Sequence, residues 1–454
     1  MNNNFASAYP RKNFFIQMFT KDIGLEDCIL DLIDNSIDGL IRSRKIKLSD
    51  LSKWVFAKDP KPSVHLTGRP VIRVTFSEDS VKVEDNCGGL DLEYARNEAF
   101  NFGHGPDWKK GFLGVYGVGL KRALFKLGEE FRIESHTIEN GFECSLDVSE
   151  WIKQDKSVDD WRIPLKELPK AHSEKSAGTS ILVSRLHNEV KMCVKAGSFY
   201  KSLYDSIRRT YSFFIGKYVR IYLNQTEIEP YRIPLSRPKG GNVSYEEFEK
   251  NGVKVRIIAT IAELDDTGRY NQALAGWYVV CNGRIVLLAD KSEITGWGIP
   301  PMPTYQPKHR CFIGLAFFQA ENPLLLPWTT TKTALNKESP IYLTARDRMA
   351  IVARPVFSFI NKKYPSDLDV EPIERDIARV VESKSVGQLV SNKNTIFSAP
   401  PQAQPTPRTT TSVQYSAKIS DLEKIRKHLR KPKMGASRIG EYTLAYFLEK
   451  EGLK

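Results

Sequence analysis

Three polar side chains in the stretch DCILDLIDNSIDG (27–39) have the residue types needed to handle water and a hard cation. Asp31 and Asn35 are four residues apart and Asp38 follows three residues later, so on a helix they share one face. A carboxylate and an amide held side by side can orient a water molecule and complete the ligand shell of Mg²⁺. The same spacing is equally typical of an amphipathic helix whose acidic face is solvated.

The apolar residues of the same stretch predict the helix that would hold these side chains. They are Cys28, Ile29, Leu32, Ile33 and Ile37. Their three- and four-residue spacing predicts a face packed on a core. Gly39 then offers a place for the helix to end. The polar row is therefore expected beside the core, at the rim of a domain.

A second acidic position lies at the end of a predicted strand. VIRVTF (71–76) and SVKVEDN (80–86) alternate apolar and polar residues, which predicts a hairpin. Asp85 ends the second strand, and Gly88 and Gly89 follow it. Glycines let the backbone approach a flat ligand closely, and the carboxylate can accept from an exocyclic amine. Taken alone, the segment is as typical of an ordinary turn.

The stretch GFLGVYGVGLK (111–121) is a glycine-rich loop that opens into a predicted helix. Backbone N–H groups at a helix N-terminus bind phosphate through their unpaired donors and the helix dipole. The stretch is not a Walker A motif, because Leu120 separates Gly119 from Lys121 and no Ser or Thr follows the lysine. Further glycines upstream make the region 101–118 a predicted mobile lid.

Two more features complete the set of residues that carry chemistry. Gly178 and Thr179 head an apolar strand, where the hydroxyl could support a ligand beside Asp85. Lys332 lies in the threonine-rich loop PWTTTKT (327–333), from which it could reach a terminal phosphate bound by a neighbouring domain. Neither feature is specific by itself, since most loop lysines are solvated.

Composition places the chain among globular proteins with more than one domain. Its 454 residues suffice for two or three domains, and 41% hydrophobic with 27% charged residues is typical of a soluble protein. No apolar run approaches the roughly 20 residues needed to span a bilayer, and no secretion signal begins the chain, which predicts a cytoplasmic protein. The net charge of +13 indicates an anionic partner, of which nucleic acid is the obvious class.

The order of elements predicts an α/β (α+β) protein with four regions. Residues 1–216 combine strands with helices gathered on one side, and the first twenty of these residues (1–20) form an N-terminal arm. Residues 217–365 form a second strand-rich block that a helix closes. Residues 366–415 contain a helical stretch and a disordered linker rich in Pro, Ser, Thr and Gln. Residues 416–454 form a basic helical segment.

The order of the motifs resembles the GHKL superfamily, which includes gyrase B, the heat-shock chaperones, histidine kinases and MutL. An acidic-x-x-x-Asn helix is followed by Asp-x-x-x-Gly after a strand, then Gly-x-x-Gly-x-Gly-Leu-Lys, then Gly-Thr on a strand. The second block resembles the ribosomal-S5-like transducer domain, which narrows the likeness to the MutL, gyrase B, chaperone and MORC branch. DLIDNSIDG and YGVGLKRAL most resemble the MORC-like ATPases and their bacterial relatives. The resemblance covers about residues 12–350.

The resemblance implies a Bergerat-fold two-layer sandwich that binds ATP and Mg²⁺, an S5-like α/β transducer domain, and a linker-tethered helical C-terminal segment. Asn35 would coordinate Mg²⁺, and Asp31 would act as the general base on the attacking water. Lys332 would reach the γ-phosphate from the transducer domain.

The remaining motifs imply the nucleotide contacts. Asp85 would accept from the adenine amino group, helped by Thr179 and water, and the glycine-rich lid would place Lys121 near the phosphates. The implied cofactor-binding set is Asn35, Asp38, Asp85, Gly89, Gly114, Gly117, Val118, Gly119, Leu120, Lys121 and Thr179.

Two positions depart from the family pattern. The base is usually Glu, and Asp31 is shorter by one methylene, so it must lie closer or act through a second water; slow hydrolysis is expected. Cys87 replaces the first glycine of the usual Asp-x-Gly-x-Gly, where a glycine-only backbone conformation would be costly.

The resemblance implies a slow ATPase that works as an ATP-operated clamp or switch, with Lys332 swinging inward and the N-terminal arm pairing two copies into a homodimer. DNA is the predicted client, in DNA metabolism or in defence against foreign DNA. Two alternatives stay open: a chaperone-like protein-remodelling ATPase, and a non-hydrolysing protein that uses ATP as a structural ligand. The C-terminal segment offers basic residues that fit a solvated helix face slightly better than a phosphate site, and an amphipathic helix that could dock a protein partner.

Overall fold

The computed structural model describes residues 10–47, 49–50, 55–56, 69–103, 113–114, 116–155, 158–363, 377, 380–389, 393–399 and 416–453. The chain divides into two compact units, Met1–Pro400 and Pro401–Lys454. The predicted mixed α/β class is confirmed, because the first unit holds two large sheets with helices packed beside them. None of the described helices combines the length and hydropathy needed to cross a bilayer.

The described residues contain eleven α-helices. They are α1 (Lys12–Thr20), α2 (Leu25–Ser43), α3 (Leu92–Tyr94), α4 (Gly119–Leu127), α5 (Val148–Lys153), α6 (Asn188–Lys195), α7 (Gly197–Thr210), α8 (Pro340–Lys363), α9 (Val386–Leu389), α10 (Ile419–His428) and α11 (Ala436–Lys450). A π-helical stretch, Ala95–Ala99, continues α3. Short 3₁₀ turns lie at Val158–Trp161, Gln272–Leu274, Glu293–Thr295, Pro307–Cys311 and Pro323–Leu325.

The first sheet has eight strands in the order β5-β4-β3-β6-β2-β1-β7-β8. Its strands are β1 (Val71–Phe76), β2 (Ser80–Asp85), β3 (Gly128–His136), β4 (Gly141–Asp147), β5 (Lys166–Leu168), β6 (Gly178–Leu186), β7 (Arg220–Leu223) and β8 (Thr226–Glu227). Neighbouring strands run antiparallel except β1 and β7, which are parallel.

Strands β1 and β2 form the predicted hairpin and bury one face of this sheet. Ile72 and Val74 are buried, whereas Arg73 between them is exposed. Ile72 pairs with Asp85 across the hairpin. Because paired residues of antiparallel strands point to the same face, the Asp85 side chain lies on the buried face, where α2 packs.

The second sheet has five strands in the order β10-β11-β14-β12-β13. Its strands are β10 (Ser244–Lys250), β11 (Val253–Ile261), β12 (Gly276–Cys281), β13 (Arg284–Asp290) and β14 (Phe312–Gln319), while β9 (Ser236–Pro238) and β15 (Val381–Ser383) form a separate pair. The central strand β14 is buried along its whole length. Such a continuous apolar run indicates a strand covered on both faces.

Aromatic side chains account for the cover on both faces of β14. Phe312 stacks on Phe357 of α8 at a ring distance of 4.6 Å. Phe317 points the other way, where the rings of Phe56 and Phe213 lie 4.9 and 5.6 Å from it. Phe213 directly follows the helices of the first sheet, so this contact packs the two sheet regions together.

Two helices differ from the sequence expectation. Residues 12–20 of the predicted arm form α1, because Lys12 Nζ is buried and donates to the carbonyls of Trp151 (2.8 Å) and Gln154 (2.6 Å); residues 1–9 lie outside the described range. Gly39 does not end α2, which continues to Ser43. A Cβ at Gly39 would lie 3.2 Å from the Cys87 carbonyl, so this glycine serves a close backbone approach instead.

Two predicted boundaries also shift. The first sheet takes β7 and β8 from beyond residue 216, since β7 pairs with β1. Part of the disordered linker predicted at residues 386–415 is ordered: Val386–Leu389 forms α9, and isolated bridges join Thr395 to Tyr245 and Ser398 to Asn242. Before the linker, where a helical stretch is predicted, β15 pairs with β9. The linker residues 401–415 lie outside the described range.

The second unit contains α10 and α11, which pack on each other with Ile439 buried. Arg426 Nε donates to the Met434 carbonyl and so braces the turn between the helices. The apolar side chains of α11 are largely exposed at Tyr442, Leu444, Tyr446 and Phe447.

Packing of the second sheet is tested by adding one methyl group. A Cβ at Gly314 of β14 would overlap the buried indole of Trp277, whereas a Cβ at Gly197 of α7 would meet open space. We expect Gly314→Ala to lower the free energy of unfolding by about 1–3 kcal/mol through overpacking. Gly197→Ala, the matched control, should leave it unchanged or raise it by up to about 1 kcal/mol. Urea denaturation measures both, and equal stability of the two variants would contradict this packing.

Candidate active site

Helix α2 carries the predicted polar row, in which Asp31 is 3% exposed and Asn35 and Asp38 are half-buried. Asp34, next to Asn35 and outside the predicted row, is fully buried. The alternative of a solvated acidic face is therefore wrong for this helix. Buried carboxylates need charged or hydrogen-bonding partners, and those of Asp31 and Asp34 come from other elements.

Two cations contact Asp31. Arg122 of α4 donates from Nη2 to Oδ2 at 2.9 Å, and Lys332 Nζ lies 3.4 Å from Oδ1. Lys332 is 5% exposed and adopts a left-handed backbone conformation with φ 57°, which is uncommon for a residue other than glycine. The structure thus brings together both predicted catalytic residues, which are 301 positions apart in sequence.

Asp34 has three partners, and the sequence analysis missed this residue. Its Oδ2 accepts from Lys332 Nζ at 2.6 Å, and its Oδ1 accepts from Arg284 Nη1 at 2.6 Å. The hydroxyl of Tyr211 lies 2.7 Å from the same Oδ1. Arg284 opens β13 and Tyr211 follows α7, so neither has a local sequence signal that links it to α2.

Opposite charges keep this cluster ionised despite burial. Burial opposes ionisation of Asp34, but Arg284 and Lys332 hold the pKa of its carboxyl below the ordinary value. Burial likewise opposes protonation of Lys332, but Asp34 and Asp31 hold the pKa of its amine above the ordinary value. Lys332 is therefore a permanent cation at neutral pH.

The other end of the site is organised by Asp85. Ser36 of α2 donates to its Oδ2 at 2.7 Å, and the Cys87 N–H donates to Oδ1 at 2.8 Å. The Thr179 N–H also reaches Oδ1, at 3.3 Å, while the Thr179 hydroxyl bonds Ser135. Burial raises the pKa of Asp85, and the hydrogen bonds partly oppose that rise. A carboxylate has about four acceptor positions, so one remains to receive an exocyclic amine.

The replacement of glycine by Cys87 costs no backbone strain here. The positive φ values fall on the next two residues, Gly88 (102°) and Gly89 (73°), and Cys87 is not among the residues with positive φ. Gly89 has a packing role, because a Cβ there would overlap the His136 carbonyl. Its own carbonyl accepts from Arg42 Nη2 at 3.0 Å.

Asp38 anchors the described part of the glycine-rich loop. Its two carboxylate oxygens accept from the N–H groups of Leu113 (2.7 Å) and Gly114 (2.6 Å). A Cβ at Gly114 would lie 2.9 Å from Asp38 Oδ2, so a larger residue there would displace the carboxylate that holds the loop. The predicted lid residues 104–112 and Val115 lie outside the described range.

The end of the loop enters α4 against Asp31. A Cβ at Gly119 would lie 3.0 Å from Asp31 Cγ, so the helix start and the carboxylate are in close contact. Gly117 has φ 62°, and Val118 is an N-cap whose side chain makes no capping hydrogen bond. The first N–H groups of α4, including that of Leu120, are therefore available to an anion.

Lys121 does not lie where the sequence analysis placed it. Its amine is buried and donates to the carbonyl of Ala99 at 2.9 Å, next to the ring of Phe102. Burial lowers the pKa of this amine to about 7. In this structure Lys121 holds the end of the π-helical stretch, and Arg122 is the α4 cation that meets Asp31.

The arrangement fits a magnesium–nucleotide complex. Asn35 Nδ2, Arg122 Nε and Arg284 Nε are buried and find no acceptor among the described residues. Buried donors nearly always have acceptors. Because Arg122 and Arg284 contact Asp31 and Asp34 and Asn35 follows Asp34, these donors could bond a ligand held at this end of α2. Asn35 Oδ1 could ligate Mg²⁺, and the described residues hold no group of three or more His, Cys, Asp or Glu side chains that would bind a metal without such a ligand.

A comparison with protein families decides the class of this site. Residues 23–179 match the model of the histidine kinase-, DNA gyrase B- and HSP90-like ATPases. This matched segment, less than half of the chain, is similar to GHKL-type ATPase domains. The match spans Asp31 to Thr179, so the predicted ATP-binding and ATPase class is confirmed, and GHKL domains generally use Mg²⁺ and commonly dimerise on binding ATP. The likeness to the MORC and MutL branch stays a prediction. A search of curated proteins found no match.

The buried amine of Lys121 predicts a pH dependence of stability. Its pKa is about 7 in the folded protein and 10.5 ordinarily, so between these values the unfolded chain binds more protons. The free energy of unfolding therefore rises with pH through this window, by about 1.4 kcal/mol for each unit of pKa difference. Lys121→Met lacks this contribution. Relative to wild type it should be most stable at or below pH 7 and lose that advantage towards pH 10.

Urea denaturation between pH 6 and pH 10 measures this difference, and Lys201→Met, at an exposed position of α7, is the matched control. A constant stability difference between wild type and Lys121→Met across this range would show that the amine is not buried.

Proposed function

We propose that the chain is a slow Mg²⁺-dependent ATPase that acts as an ATP-operated dimerising switch, in DNA metabolism or in defence against foreign DNA. The observation that carries the proposal is Lys332. This cation comes from the loop between β14 and α8 and is buried against Asp31 of the ATPase domain. In this proposal the second sheet belongs to a transducer domain, and its lysine contacts the hydrolytic centre directly.

The roles of the residues follow from their contacts. Bound ATP would supply the phosphoryl group, and a Mg²⁺ ion held by Asn35 would offset part of its charge. Asp85 would orient the adenine end, and Asp38 fixes the start of the glycine-rich loop. Asp31 accepts the proton of the attacking water. Lys332 lies beside Asp31, from where it would reach the terminal phosphate.

The contacts of Asp31 support a slow rate. Each of its oxygens faces a cation, Arg122 on one side and Lys332 on the other, so an attacking water would have to share this carboxylate with them. The same observation favours a second candidate, in which ATP binds as a structural ligand and is not turned over. Turnover measurements separate these two candidates.

The switch proposal rests on the ion pairs that join α2 to the second sheet. A ligand bound to α2 that favours one geometry of these pairs would shift the position of the second sheet. Homodimer formation through α1 is supported by its exposed apolar residues Phe14 (61%) and Met18 (57%), which lie four apart on one face.

DNA as the client is supported by charge. The chain carries a net charge of +13, and the second unit presents basic residues at and after α10: Lys424, Arg426, Lys427, Arg430, Lys431 and Lys433. Contacts with DNA phosphates would weaken steeply with salt. A chaperone-like ATPase would bind its client with little salt dependence, so that measurement discriminates between the two clients.

Hydrolysis is tested by ATP turnover with and without double-stranded DNA. We expect Asp31→Ala to reduce kcat by roughly 10²–10⁴-fold, as for loss of a general base, while nucleotide binding persists. Asn35→Ala should lose Mg²⁺-dependent binding, and Asp22→Ala, at an exposed carboxylate just before α2, should turn over like wild type. DNA should raise the wild-type rate. Binding without turnover in wild type would favour the structural-ligand candidate.

Dimer formation is tested at α1. Phe14→Asp with Met18→Asp should abolish an ATP-dependent mass increase in light scattering, because charged residues would be buried at the contact. Met192→Asp, at an equally exposed apolar position of α6 (74%), is the control and should leave the dimer intact. Dimerisation by the α1 variant would exclude α1 as the contact.

A further inference from the structure

Asp34 is a buried carboxylate that shares Lys332 with Asp31. The proposed hydrolytic mechanism assigns it no role. It is fully buried, and its three partners come from the residue after α7, the start of β13 and the loop before α8. The cluster contains two carboxylates, Asp31 and Asp34. They form direct ion pairs with three cations: Arg122, Arg284 and Lys332.

Lys332 is shared unequally between the two carboxylates. Its Nζ lies 2.6 Å from Asp34 Oδ2 and 3.4 Å from Asp31 Oδ1. The shorter contact has normal ion-pair hydrogen-bond geometry, whereas the longer one is at the limit of a hydrogen bond. Asp34 therefore carries most of the pairing and keeps the amine from closing on Asp31.

We infer that Asp34 is a positioning residue that holds Lys332 off the general base, and that Asp34 and the terminal phosphate of ATP compete for this lysine. The inference rests on the proposed function and deepens it. A phosphate that binds Lys332 must draw it away from Asp34. ATP binding therefore breaks the ion pair between α2 and the loop before α8. Arg284 and Tyr211 stay with Asp34 and keep its charge paired when Lys332 leaves.

Removing the charge of Asp34 is expected to tighten ATP binding and to slow turnover. In Asp34→Asn the competitor of the phosphate is gone and the cluster has one negative charge fewer, so a triphosphate binds more tightly. With Asp34 no longer competing for it, Lys332 stays on the phosphate longer, so release of the cleaved phosphate slows and turnover falls.

The test compares Asp34→Asn with Asp79→Asn, which makes the same chemical change at an exposed turn position. We expect Asp34→Asn to lower KM for ATP about fivefold and kcat at least tenfold. Binding of a non-hydrolysable ATP analogue should tighten while binding of ADP is unchanged, because ADP lacks the competing phosphate. Asp79→Asn should match wild type in every respect.

A purely structural role for Asp34 predicts a different result. Partial unfolding would lower kcat through loss of active protein and leave KM and the ratio of the two nucleotide affinities unchanged, which would overturn the inference. Should Asp34→Asn fail to fold, Tyr211→Phe tests the same competition with the opposite sign: Asp34 loses a hydrogen-bond donor, holds Lys332 more tightly, and the ATP analogue should bind more weakly. Failure of wild type to bind the analogue at all would refute the proposed function itself, a distinguishable outcome.

Discussion

A buried carboxylate at Asp34, paired with an arginine and a lysine from distant parts of the chain, is the constraint on which this structure depends. Removing an ionised carboxylate from water is expensive, and close, well-directed partners are needed to offset that cost. Losing one partner of such a pair typically costs about 3–5 kcal/mol. The two sheets are therefore joined by charge as well as by the aromatic contacts around Phe317.

Helix α2 contacts three separate parts of the site along its length. Asp31 faces the helix start at Gly119, Ser36 bonds Asp85, and Asp38 holds the loop at Gly114. One helix thus holds the start of α4, Asp85 and the glycine-rich loop at fixed distances from one another. The opposite face of α2 is packed in the core. A shift of α2 at any one of these three contacts would therefore displace the other two.

The sequence predicts what is local and misses what depends on distant partners. The amphipathic pattern of α2, the hairpin before Asp85 and the glycine-rich loop all have short-range signals, and the structure forms them. Arg284 sits in a hairpin whose sequence gives no sign of Asp34, 250 positions away. Lys121 and Arg122 are adjacent, and sequence alone could not show which one faces the carboxylates.

Glycines show the same limit. The sequence analysis interpreted Gly39 as a helix end, but the structure uses it to admit the Cys87 carbonyl beside a continuing helix. Both uses need the same absence of a Cβ, so the residue type does not separate them. The helix α1 was missed because its anchor is the buried amine of Lys12, which bonds carbonyls about 140 positions later.

The span of chain between Asp34 and Lys332, 298 positions, also bears on how the protein is made. A ribosome would have to release β13 and then the loop before α8 before Asp34 could acquire its cations. Until then, α2 would carry an uncompensated charge in the folding core, which disfavours early closure of the first sheet around it. The ion pairs that join α2 to the second sheet region would therefore form late in synthesis.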